Sequence, residues 1–181
     1  MTVRENIDLD VQALTRYFTR LFVLINELAG TAANQSEGTY VGDYAVFVRP
    51  DMACNVYNFV DFWLARLADF HQQRGHLPLY KKRGSGSDLD AYHKYFTEVA
   101  RLPLDSLASS FDQLNSLRKV RNCLVHHGAH VNDQQSVELE AIHGVSLFGT
   151  LLLLTDEFIW DCLKHASLYL YAVGEAGAVD P

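Results

Sequence analysis

The sequence predicts an all-α protein, an antiparallel helical bundle of four long helices plus one or two shorter ones. Three observations carry this. Apolar residues recur at three- and four-residue spacing over four long stretches. Capping and breaking residues separate those stretches. The 181 residues contain no internal repeat and no linker long enough to divide two cores, so a single domain spanning 1–181 is expected. Isolated amphipathic helices must bury their apolar stripes against one another, and a bundle is the simplest way to do so.

The first helix is expected from about Asp8 to Leu28, with Val11, Leu14, Phe18, Leu21, Ile25 and Leu28 on one face and Gly30 as its stop. Thr31 to Thr39 is small and polar and reads as a loop. Tyr40 to Val48 is aromatic and β-branched, which leaves helix and strand both open. Pro50 should break whatever precedes it, with Asp51 capping a second helix through Met52, Val56, Phe59, Val60, Trp63, Leu67 and Phe70. A polar, basic connector follows, and its Lys81–Ser87 portion is expected to be a mobile loop. Ser87 or Asp88 then caps a short helix carrying Leu89, Tyr92, Tyr95, Phe96 and Val99.

Pro103 and Asp105 open the next long helix, with Leu107, Phe111, Leu114, Leu117, Val120 and Leu124 inward and Gly128 as its left-handed end. Val137 to Glu140 reads as a brief strand or irregular chain. The last helix is expected from Leu147 to Tyr171, followed by a frayed tail from Gly174 to Pro181. Trp63 and Trp160 fall on apolar faces. Tyr92, Tyr95 and Phe96 read as core rather than as a stacking platform, and His93 and Lys94 as surface.

Composition narrows the function classes. Hydrophobic residues make up 49% and charged residues 20%, a globular balance. Three scattered cysteines, Cys54, Cys123 and Cys162, suggest no disulfide framework and fit a reducing setting. Met1 to Asp10 is charged and lacks the apolar run of a signal peptide, and Val145–Leu154 is too short to cross a bilayer. A soluble, cytoplasmic protein is the expectation. The net charge of -7 argues against indiscriminate coating of nucleic acid, but it is compatible with a small basic pocket.

No nucleotide-binding glycine loop, metalloprotease helix or serine elbow is present. Gly84-Ser85-Gly86-Ser87 lacks the strand-to-helix setting of a phosphate site, and Lys81-Lys82-Arg83 reads as a solvated loop. The unusual segment is Leu117 to Gly128. Between Gln113 and Asn132 there is no acidic residue, against three Arg/Lys and three His. Arg118, Asn122 and His126 are spaced as one polar ridge of a helix, with Asn122 placed to orient His126. Arg118 and Lys119 are the expected backbone-binding cations. Arg121 lies about 140° from His126 on an ideal helix, so the two do not share a face.

The pattern Arg121-Asn122-x-x-x-His126 resembles the signature of the HEPN domains, a family of helical bundles. The recognisable motif covers only Arg121 to His126. The resemblance implies a metal-independent endoribonuclease that needs no cofactor and commonly dimerises, with the motif residues of both protomers facing one cleft. It implies Arg121, Asn122 and His126 as catalytic residues, with His127 as a second histidine that also satisfies the spacing. Family members act as toxins in toxin–antitoxin pairs or in antiviral defence, and others are inactive partners of nucleotidyltransferases. The chemistry suits the residues. RNA is cut by attack of its own 2′-hydroxyl on the adjacent phosphate; a guanidinium stabilises the crowded phosphorane, and an imidazole titrates close enough to neutrality to move the protons.

Simpler readings compete. Arg121 snorkels or pairs with a carboxylate, for which Asp156, Glu157 and Asp161 are candidates. His126 and His127 are cations favoured by a helix C-terminus. Cys123, His126, His127 and His130 match no standard zinc spacing, and no metal is expected. A non-catalytic partner of a nucleotidyltransferase, or a plain scaffold bundle, remains the alternative to an enzyme.

Overall fold

The computed structural model describes residues 2–33, 38–78, 80 and 87–176, with backbone alone for 28–33 and 38–46. Four long helices form the expected bundle: α1 (Val3–Ala33), α2 (Gly38–Gly75), α4 (Ala108–His127) and α6 (Asp156–Glu175). Two short ones, α3 (Asp88–Lys94) and α5 (Asp133–Glu140), complete the set among the described residues.

The first helix begins earlier than its apolar spacing suggested. Thr2 and Glu5 form a reciprocal cap: the Thr2 hydroxyl accepts from the Glu5 amide, and the Glu5 carboxylate accepts from the Thr2 amide. Gly30 does not end it, since α1 runs on to Ala33. The expected loop from Thr31 to Thr39 is therefore helical at both ends, and 34–37 lie outside the described residues.

The break expected at Pro50 is absent, because α2 passes through it, and Asp51 is interior rather than a cap. Proline inside a helix costs roughly 3 kcal/mol. Burial of Met52, Ala53, Val56, Val60, Trp63, Leu64 and Leu67 along one face outweighs that local cost. Ser87 caps α3, its hydroxyl accepting from the Asp90 amide, while 81–86 of the expected mobile loop lie outside the described residues. A π turn, Tyr95–Val99, continues from α3 and buries Tyr95 and Phe96.

Gly128 ends α4 with a φ of 58°, the left-handed cap that the sequence suggested. The segment 137–140 is not a strand: it belongs to α5, started by an Asn132–Gln135 capping box. The last helix is shorter at its start than expected. Val145–Phe148 (β1) and Leu151–Leu154 (β2) form an antiparallel hairpin instead, with Phe148 opposite Leu151. Gly149 at φ 62° opens a two-residue turn of the kind that matches strand twist. Thr155 then caps α6 by accepting from the Phe158 amide. At its far end α6 continues to Glu175 with Gly174 buried, so fraying at Gly174 is not seen, and 177–181 lie outside the described residues.

α6 is the centre of the bundle and packs against α1, α2 and α4. It buries Phe158, Ile159, Cys162, Leu163, Ala166, Tyr169, Leu170 and Val173. Trp160 meets Phe18 and Phe22 edge-on or tilted, at 6.1 and 5.6 Å between centroids. Trp63 packs inward and donates its indole N–H to Asp10 at 3.0 Å. Asp156 pairs with Arg49 of α2 at 2.6 Å, not with Arg118 or Arg121. His93 is not a surface residue. Its ring stacks on Phe111 with centroids 4.0 Å apart, and its Nδ1 lies 2.8 Å from the Tyr169 hydroxyl.

Two histidines make the fold sensitive to acid. His71 donates its Nε2–H to the Val173 carbonyl at 2.8 Å and is buried between α2 and α6. Burial holds both His71 and His93 below the ordinary imidazole range, against the Val173 bond in one case and Asp90 and Asp105 in the other. A lowered folded-state value means that the fold favours the neutral ring. The stabilisation is complete above the unfolded value near 6.5 and is lost as pH falls through the folded value. Urea unfolding from pH 8 to 5 should therefore show stability falling below about pH 6.5, by at most about 1.4 kcal/mol per pH unit for each ring. The slope should be shallower in His71→Leu. A second test concerns Gly144, whose φ is 78° and where a Cβ would lie 2.7 Å from the Thr155 hydroxyl and 2.8 Å from Phe158 Cβ. Gly144→Ala should cost about 2–4 kcal/mol in the same measurement.

Candidate functional site

The inner stripe of α4 is Leu114, Leu117, Val120 and Cys123, all buried. Arg118, Arg121 and Asn122 flank that stripe and are half-buried. Because α2 packs beside α4, these three side chains meet residues from other elements. They line one cleft of about 200 Å³ with Tyr57 and Asp61 of α2 and with Ser87 and Asp88 at the start of α3.

Arg121 is held from two sides. Its guanidinium carbon lies 5.5 Å from the Tyr57 ring centroid, and its Nη1 donates to Asn122 Oδ1 at 3.3 Å. Arg118 donates Nε–H to Asn115 Oδ1, also at 3.3 Å. The remaining donors of each guanidinium leave capacity for a further acceptor. Burial raises the Asp61 carboxyl, and the Asp88 carboxylate adds to the rise while Arg121 opposes it. Burial likewise raises the Tyr57 phenol, with Asp61 reinforcing and Arg118 and Arg121 opposing. The cleft thus combines two fixed cations, two carboxylates and a phenol.

The structure separates the sequence-derived residues into two groups. Arg118, Arg121 and Asn122 converge on the cleft. His126 and His127 are exposed at the end of α4 and do not line it. Asn122 bonds Arg121 rather than orienting His126. Lys119 points another way and forms an ion pair with Glu138 of α5.

The end of α4 is nonetheless well anchored. Past Gly128 the chain pairs with β2: Val131 donates to the Thr150 carbonyl at 2.9 Å, and Leu152 donates to the Ala129 carbonyl at 2.8 Å. His130 Nδ1 lies 2.9 Å from the Thr150 hydroxyl, which ties that ring to the hairpin turn. Cys123 is buried, and among the described residues no group of three His, Cys, Asp or Glu is arranged to hold a metal.

Tyr57, Asp61 and Asp88 were not singled out by motif or spacing. Tyr57 and Asp61 lie one turn apart on α2, so their shared face was readable. Nothing local joins that face to Arg121. Among the described residues no helix is long and apolar enough to cross a membrane.

These features define a polar, arginine-bearing cleft at the junction of three helices in an all-α bundle. Comparison of the chain with family models, curated proteins and solved structures returns no match.

Proposed function

We propose that the protein is a metal-independent endoribonuclease of the HEPN kind, acting on cytoplasmic RNA as a toxin or defence effector. The observation that carries this reading is the convergence of Arg118, Arg121 and Asn122 on one solvent-open cleft, inside a helical bundle, at the motif that resembles the family's. In this reading the arginines bind the scissile phosphate and stabilise the charge that builds on it. His126 serves as the proton-transfer group, with His127 in reserve.

Exposure of both histidines makes them accessible to a large substrate. Both lie outside the cleft, so this reading requires a site completed across a two-fold axis, where His126 of one protomer reaches the phosphate held by the other. A small arginine-bearing cleft in a chain of net charge -7 also fits a nuclease that engages RNA locally rather than by broad electrostatic attraction.

The test is incubation of wild type, Arg121→Ala, His126→Ala and His127→Ala with a panel of RNAs in the presence of a chelator. Wild type should cut. Arg121→Ala and His126→Ala should lose about 10²–10⁴-fold in rate while staying folded by circular dichroism and dimeric by sedimentation. His127→Ala should stay within a few-fold of wild type. Full activity in His126→Ala, or cleavage abolished by the chelator, would overturn the assignment.

A further inference from the structure

The carboxylates are the unexpected part of the cleft. A pocket for phosphate alone is best built from cations and amides, because each nearby carboxylate repels the ligand. Here Asp61 and Asp88 face the same space as Arg118 and Arg121. Among the described residues no ion pair joins Asp61 to either arginine. Arg121 is turned to Tyr57 and Asn122 instead. Asp61 and the two guanidiniums line the cleft without closing on each other. A ligand fitting between them must bring an anion to the arginines and a hydrogen-bond donor to the carboxylate.

A ribonucleotide 3′-phosphate has that pair of groups on adjacent carbons: the phosphate on O3′ and the 2′-hydroxyl beside it. A deoxyribonucleotide lacks the donor. We infer that the cleft is a ribose-selective nucleotide subsite in which Asp61 accepts the 2′-hydroxyl and takes its proton while Arg118 and Arg121 hold the phosphate. This rests on the ribonuclease reading for its chemical step, but not for its binding preference.

The step balances within one strand of RNA. The 2′-hydroxyl proton passes to the Asp61 carboxylate, O2′ bonds to phosphorus, and the bond from phosphorus to O5′ breaks. O5′ takes a proton from the imidazolium of His126 on the second protomer of the two-fold site proposed above. The products are a 2′,3′-cyclic phosphate and a 5′-hydroxyl. Asp61 and His126 then return to their starting states by exchange with water.

The surroundings of Asp61 suit this role. Asp61 is exposed enough to meet a ligand. Partial burial raises Asp61 and makes it a stronger base, with the Asp88 carboxylate adding to the rise and Arg121 opposing it. Tyr57, Tyr80 and Tyr92 are the phenols that feel the Asp61 charge, and each is pushed upward, so they remain neutral near pH 7.

The experiment compares binding of adenosine 3′-monophosphate and 2′-deoxyadenosine 3′-monophosphate by calorimetry. The proteins are wild type, Asp61→Ala and, as a control outside the cleft, Glu140→Gln, each checked for fold by circular dichroism. Wild type should bind the ribonucleotide about tenfold more tightly, since a site made to bond a hydroxyl rejects the analogue without it. Asp61→Ala should bind the two nearly alike, with the deoxynucleotide gaining affinity as repulsion is removed. Glu140→Gln should keep the preference.

Equal binding of the pair by wild type overturns the inference. So does a preference that survives in Asp61→Ala, and so does the absence of measurable binding by wild type. RNA cleavage dependent on Arg121 and His126 without ribose preference would sink this inference alone. Ribose preference without RNA cleavage would sink the nuclease reading and leave the subsite standing.

Discussion

Burial of α6 is the constraint on which the rest of the structure depends. Its apolar residues recur around much of the helix, so α6 is satisfied only when neighbours surround it. α1, α2 and α4 supply those neighbours. Fully burying a side chain such as Phe158 or Leu170 stabilises the fold by about 2–3 kcal/mol, and α6 buries a run of them. The polar atoms that enter with it are matched: Tyr169 meets His93, and the Val173 carbonyl accepts from His71. With α6 enclosed, α2 and α4 lie side by side. That contact creates the cleft, because Arg121 comes over the Tyr57 ring only when the two helices are adjacent.

The hairpin is the second determinant of the site. A run from Val145 to Leu154 is apolar enough to extend α6 backwards, yet Gly149 interrupts it in a left-handed conformation, and Thr155 supplies a cap. In β2, Leu152 and Leu154 are buried while Leu151 and Leu153 are only half-buried, as strand alternation requires. The outer edge of β2 then pairs with the chain beyond α4. The end of α4 is thus fixed by backbone bonds from elsewhere, while His126 and His127 stay open to solvent.

Among the described residues the cleft is electrostatically balanced rather than basic. Arg118 and Arg121 face Asp61 and Asp88, and Lys119, which would have enlarged a positive patch, is engaged by Glu138 on α5. The local excess of cations along α4 is therefore partly compensated by residues of other elements. Such a site discriminates by the placement of its groups rather than by field strength, since the net charge it offers an approaching polyanion is small.

Amphipathic spacing, caps and the motif are short-range properties, and the sequence by itself determined what depends on them. It placed four long helices, a cap at Ser87 or Asp88, the Gly128 end, the inward stripe Leu114–Leu117–Val120 of α4, and the polar ridge that carries Arg118 and Asn122. Only the tertiary structure decided the rest. Pro50 and Gly30 signal a stop, but packing of the surrounding helix overrides a local cost of a few kcal/mol. Val145–Leu154 is ambiguous by hydropathy, and the pairing partner that makes it a hairpin edge lies beyond α4. Tyr57, Asp61 and Asp88 join Arg121 through contacts between residues far apart in the chain, for which no local spacing carries a signal.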